Sequence, residues 1–163
     1  MSLALDPALV LEKPLMAHLA TASPDGPRHS PVWFLWEEGA IWLVSGSGES
    51  LADRLAAEPR CAIGIVDFDN DRGILRHVGM RGRAELRGLD LARRNRLLAK
   101  YIGPDESLWR ADFKAAAIDS IDVLVEFVPD GPDSIVARDQ SYFSQASPHR
   151  YGQQGSNDGQ PPA

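Results

Sequence analysis

The sequence predicts a β-barrel with peripheral helices, and three observations lead there. Several apolar stretches of strand length are separated by turns rich in Gly, Pro, Asp and Ser. One of them, Ile74–Leu86, alternates cleanly: Val78, Met80, Gly82, Ala84 and Leu86 share one face, and His77, Gly79, Arg81 and Arg83 the other. Helical spacing is confined to about three segments against about six strands, and an antiparallel sheet of that size curls to remove its edges.

In chain order, Asp6-Pro7 is a helix start, with Asp as N-cap and Pro in the first position, and predicts a short helix over 8–13 ended by Pro14. Leu15–Ala22 reads as a strand, and Ser23-Pro24-Asp25-Gly26 as a turn. The stretch Arg28–Pro59 then organises the chain. Pro31–Trp36 is almost wholly apolar and predicts a strand covered on both faces. Glu37-Glu38-Gly39 turns it into a partner strand, Ile41–Val44. The loop Ser45-Gly46-Ser47-Gly48 opens a helix with Leu51, Ala52 and Leu55 on one face, ended by Pro59. Free amides and the helix dipole make such a loop a candidate anion site.

Cys61–Phe68 is a further strand, followed by a turn over Asp69–Gly73 and the long alternating strand. Asp90 caps a helix to about Tyr101, with Leu91, Leu98 and Ile102 on one stripe. After Gly103-Pro104, a second helical piece is expected over 104–117, with Trp109 and Phe113 one turn apart. Ile121–Val128 is a β-branched strand, and Pro129-Asp130-Gly131-Pro132 turns it into a short strand at 134–137. One domain over 1–140 is expected, with 141–163 a disordered tail, because its composition shifts to Gln, Ser, Gly, Asn and Pro.

The composition narrows the function. With 163 residues, 44% apolar and 25% charged, the chain is long enough to bury a core. A net charge of -6 argues against non-specific nucleic-acid binding, which needs a basic face. The single cysteine, Cys61, excludes an intramolecular disulfide and reads as a small buried side chain. No apolar run approaches the roughly 18 residues of a membrane span, and no signal-peptide pattern opens the chain, so a cytoplasmic protein without membrane partners is expected.

Three segments, LATASPDGPRHSPVWFLWEEGAIWLVSG, LAAEPRCAIGIVD and HVGMRGRAELR, together resemble the flavin-binding split barrels related to pyridoxamine 5′-phosphate oxidase, including their deazaflavin-dependent actinobacterial branch. The resemblance spans about residues 10–137. It implies a six-stranded antiparallel split β-barrel and a homodimer with FMN, or a deazaflavin coenzyme, in the cleft between subunits. It places Ser30, Val32 and Trp33 beside the flavin ring, Ser45, Gly46 and the start of the next helix at the ribityl phosphate, and His77 near the ring. Family members usually carry Arg or Lys where this chain has Glu49, Ser50 and Leu51. The phosphate would then rest on the hydroxyls of Ser45, Ser47 and Ser50 and on Arg54, one turn on and able to fold back.

Other motifs read blandly. Asp67, Asp69 and Asp71 fail the calcium-loop spacing, since Arg72 and Val78 stand where Gly and Glu are required. The four histidines, His18, His29, His77 and His149, are too scattered to predict a metal site. Trp33, Trp36 and Trp42 suit core or interface, and the arginines of 72–87 suit a surface balanced by acids. No nucleophile signature is present, which fits a protein whose cofactor carries the redox chemistry. The expected function is hydride transfer to or from a small organic substrate. The alternative is a non-catalytic dimeric barrel binding a deazaflavin, haem or an aromatic metabolite.

Overall fold

A computed structural model of the chain describes residues 5–46, 50–114 and 122–142. Among them, eight strands form one antiparallel sheet: β1 (Ala17–Thr21), β2 (Arg28–Val32), β3 (Leu35–Glu37), β4 (Ala40–Gly46), β5 (Arg60–Asp69), β6 (Ile74–Arg87), β7 (Asp122–Pro129) and β8 (Ile135–Ser141). The strand order is β2-β1-β5-β6-β7-β4-β3, with β8 on the first half of β6. Helix α1 (Ala8–Leu11) lies near one end of the barrel, where Lys13 pairs with Asp67. Helix α2 (Ser50–Ala57) lies at the other, with Leu51 and Leu55 in the core.

The strands β2 and β3 stand at opposite ends of the order, yet only Trp33 and Phe34 separate them in the chain. The curled sheet is therefore joined at its two edges by a covalent link rather than by a ladder, which makes it a split barrel. This corrects the expectation of one unbroken strand over Pro31–Trp36. Pro31 has no N–H to give a central ladder and suits an edge, and the chain changes partner from β1 to β4 across the bend. Of these six residues only Phe34 is fully buried. The strand covered on both faces is β4. Its Ile41 and Leu43 point into the barrel, and Trp42 packs outside with Leu35 and Leu124 beneath the Arg93 guanidinium, 3.9 Å from the ring.

The seam is stitched by helix α3 (Leu91–Ile102). The N–H of Phe34 donates to Tyr101 Oη (3.0 Å), which itself donates to the Leu15 carbonyl (2.7 Å). Lys100 Nζ donates to the carbonyls of Phe34 (3.1 Å) and Leu11 (2.8 Å) and lies 3.6 Å from the centre of the Phe34 ring. Two side chains thus satisfy buried backbone groups that a closed barrel would pair between strands. Burial pushes the Tyr101 phenol up to about 12 and pulls Lys100 down to about 8, while the carbonyls and the ring favour the ammonium form.

As predicted, Asp90 caps α3, accepting from Arg93 N–H (3.1 Å). The buried stripe differs: it is Arg94, Leu97 and Leu98, and Leu91 is exposed. The expected helix over 104–117 is replaced by single 3₁₀ turns at Glu106–Leu108 and Ala111–Phe113, while 115–117 lie outside the described residues. Asp105 accepts from both Ser107 N–H (3.0 Å) and Ser107 Oγ (2.7 Å), a local pattern that competes with helix propagation. Trp109 still docks this segment, buried against Leu97 and Leu98 with its indole N–H on the Gly103 carbonyl (2.9 Å).

Alternation in β6 holds from Val78 to Ala84, and Leu86 is exposed. A Cβ on Gly82 would lie 2.1 Å from the Val128 carbonyl oxygen, so the approach of β7 depends on a bare Cα there. Strand β8 runs on to Ser141, beyond the expected short segment, and Tyr142 N–H bonds the Gly73 carbonyl (2.8 Å). The rest of the tail, 143–163, lies outside the described residues. No helix among those described is long and apolar enough to cross a membrane.

Candidate functional site

Two depressions meet along β2. The first is a polar cleft of about 520 Å³ between β2, the turn before it and α2, with Arg28, Ser30, Ser50 and Arg54 on its walls. Because Leu51 and Leu55 are drawn into the core, Arg54 points back over the barrel end, one turn after Ser50. Its guanidinium donates to three hydroxyls: Thr21 Oγ1 (3.0 Å), Ser50 Oγ (3.0 Å) and Ser30 Oγ (3.4 Å). Among the described residues no carboxylate pairs with it. A cation held only by neutral hydroxyls keeps its charge available to an incoming anion, and charge-assisted hydrogen bonds are the strong ones. Asp25 and Asp53 lie on the same walls, Asp25 within 3.4 Å of the Arg28 guanidinium.

The second depression is an apolar cavity of about 430 Å³ between the end of β2, β4 and α3, bounded by Val32, Trp33, Val44, Leu97, Leu98 and Phe113. Trp33 stacks on Tyr101 (centroids 4.8 Å apart, planes 4° apart) and on Phe113 (5.9 Å, 28°). Arg94 lines this cavity and is only 4% exposed.

Ser30, Ser50 and Arg54 are thus brought together, with Val32 and Trp33 beside them on the next depression. Ser45 is buried in β4 opposite Val123, and Gly46 pairs with Asp122 at the strand end. Ser47 and Glu49 lie outside the described residues. His77 stands apart, on the outer face of β6. Its ring lies close to Gly79, where a Cβ would come 3.0 Å from Cε1, and it shares a third hollow with His18, Arg81 and Arg138. His18 Nδ1 and His29 Nε2 are 2.8 Å apart on the same face. Among the described residues no group of three or more His, Cys, Asp or Glu is arranged to hold a metal. Burial, with a smaller effect from Asp130, pushes the Cys61 thiol up to about 12, the opposite of an activated nucleophile.

Sequence reasoning missed Thr21, Arg28 and Arg94. Thr21 and Arg28 are cross-strand partners in the β1–β2 register, which no local pattern shows. Arg94 carried a signal in its i+3 and i+4 spacing to Leu97 and Leu98, but a charged residue on an apolar row reads as an exposed edge of it.

An antiparallel barrel split between two consecutive strands, with a polar cleft and an aromatic-lined cavity along the split, defines a split barrel with two candidate sites. The profile of the family described as pyridoxamine 5′-phosphate oxidase matches residues 8–124, more than half of the chain, and the chain belongs to that flavin-binding family. Among solved structures it is similar to an F420 reductase (26% identity, TM-score 0.57, covering 76% of this chain and 93% of that one). It shares its fold with a conserved hypothetical protein from Mycobacterium tuberculosis (23%, 0.65, covering 96% and 97%). The same holds for HutZ, a haem storage protein from Vibrio cholerae (13%, 0.59, covering 79% and 92%). No curated protein matches the chain.

Proposed function

We propose that this chain is a homodimeric oxidoreductase that binds FMN and moves a hydride to or from a small organic substrate. The observation that carries the reading is the Arg54 guanidinium, held by the hydroxyls of Thr21, Ser30 and Ser50 at the mouth of a polar cleft and unpaired with any carboxylate among the described residues. These residues fit a phosphate. Arg54 supplies the charge that relatives usually place at the helix start, Ser30 and Ser50 supply hydroxyls, and Arg28 stands on the same wall. Val32 and Trp33, further along β2, are the groups that would flank a ring extending from that seat. The bound flavin supplies the redox chemistry, and the chain's own part is to fix the phosphate, orient the ring and keep water from its surroundings.

Dimerisation is supported by the outer face of β5, β6 and β8. Val66, Phe68 and Val136 are 43%, 52% and 43% exposed there, around the small residues Gly64 and Gly79. A second copy of the chain would cover this face.

A deazaflavin is the second reading, favoured by the 26% identity to an F420 reductase over 93% of its length. Both cofactors offer a ribityl phosphate to Arg54 and differ at the ring and in the tail. Titration of the ligand-free protein with FMN, riboflavin and F420, followed by fluorescence, separates the readings. Tight binding of FMN and weak binding of riboflavin is the expected outcome, and Arg54→Met should weaken FMN by about ten- to a hundredfold. Equal affinity for FMN and riboflavin refutes the phosphate seat, and preference for F420 assigns the deazaflavin.

A further inference from the structure

The apolar cavity between β2, β4 and α3 contains a charge that nothing described so far uses. Arg94 is 4% exposed, and its Nη1 donates to the Phe113 carbonyl (2.9 Å) and contacts Asn95 Oδ1 (3.5 Å). Its Nε is buried without any hydrogen-bond partner, and no carboxylate pairs with the guanidinium among the described residues. A buried cation left without a counter-ion is costly, and an unsatisfied buried donor adds to the cost. An unsatisfied buried group in a native fold calls for an explanation, and completion by a ligand, ion or water is one.

Asp112 borders the same cavity, but its carboxylate is 56% exposed and is held by Arg110 (3.2 and 3.0 Å) rather than by Arg94. With Nη1 engaged, Nε is the donor left without a partner, and Nε with Nη2 forms the fork that binds a carboxylate through two parallel hydrogen bonds. Around it the walls are apolar and aromatic: Val32, Trp33, Leu97, Leu98 and Phe113. Its volume of about 430 Å³ lies within the range of small-molecule sites.

We propose that this cavity is a binding site for an apolar, planar organic monocarboxylate, with Arg94 as its counter-ion. Phosphate dianions suit it poorly, since one guanidinium is the only described cation on its walls and Asp112 stands at the rim. Val32 and Trp33 also flank the ring in the function proposed above, and on that reading a carboxylate held by Arg94 would lie against the flavin as its substrate. The binding itself stands on the cavity alone, whatever the cofactor.

Naphthalene-2-carboxylate and its uncharged carboxamide, titrated by calorimetry into the ligand-free protein, test the proposal. The carboxylate is expected to bind about ten- to a hundredfold tighter than the amide. Arg94→Met should reduce that preference to about threefold or less, and Arg94→Lys, which keeps a cation without the fork, should leave an intermediate preference. Since Arg94 also holds the Phe113 carbonyl, the wild-type chain provides a second measurement that does not depend on a variant folding. Its buried arginine Nε–H resonance should shift with carboxylate and not with carboxamide. Equal affinity for the two probes, binding of neither, or an unmoved Nε–H resonance overturns the assignment. Because no cofactor is present, failure of FMN to bind leaves this test unchanged.

Discussion

Replacing Tyr101 by phenylalanine removes a single oxygen from the seam of the barrel. In the native chain that oxygen accepts the N–H of Phe34, a residue with no solvent exposure, and donates to the carbonyl of Leu15. The substituted ring would keep the stack on Trp33, 4.8 Å away, so the change isolates the hydroxyl from the packing. A buried donor left unpaired costs about 1–3 kcal/mol, and the Leu15 carbonyl loses its donor as well. A destabilisation of about 2–3 kcal/mol is expected, because the Phe34 carbonyl still has Lys100 but its N–H has no substitute. For a chain of this length that corresponds to a fall in Tm of roughly 5–10 °C. Urea denaturation followed by tryptophan fluorescence measures it, and the slope of the transition should not change, since the surface exposed on unfolding is the same. A loss below about 0.5 kcal/mol would mean that the Phe34 N–H finds another partner, and that the Tyr101 hydroxyl does not hold the seam.

Two further outcomes follow from surface features. Hydrogen bonds from Arg96 and then Arg93 hold the Glu37 carboxyl at about 2, below its ordinary value. Stability from this cluster should therefore be complete above about pH 4.5 and be lost as the pH falls toward 2. Acid titration of Glu37→Gln should show a shallower loss over that window, with a cost at neutral pH of about 1 kcal/mol or less, since Arg96 is half exposed. An unchanged acid profile would remove Glu37 from the account. Phe68→Glu, on the exposed face of β5, should convert the proposed dimer to a monomer in sedimentation analysis without lowering Tm by more than a few degrees. A persistent dimer would move the interface elsewhere.

Much of this was legible in the sequence. The period-2 alternation of β6, the Asp90 cap, the turn at Glu38-Gly39 and the inward face of α2 are all local, and each needs only neighbours within a turn or two to be read. Arg54 was legible for the same reason: four residues after Ser50 on a helix, it had one short hydroxyl to fold toward. What stayed hidden depends on which distant edges meet. Nothing within 31–36 says that β2 joins β1 while β3 joins β4, so the run read as one strand. Arg94 was hidden because its burial is decided by Phe113 and Trp33, contributed from other parts of the chain. The helical spacing of Trp109 and Phe113 misled, because Asp105 binds Ser107 locally and the two aromatic side chains dock separately.

The bend at Trp33–Phe34 also frees the barrel from a geometric rule. In a fully laddered barrel the diameter is fixed by strand number and stagger, and the interior cannot be resized without re-registering every pair. Here the gap between β2 and β3 is held by the bulk of a few side chains, Trp33, Tyr101 and Phe113, and by two tethers from one helix. Exchanging those side chains for larger or smaller ones resets the width of the opening while every strand keeps its partner. A scaffold of this kind can change the size of molecule it admits one residue at a time, without refolding its sheet.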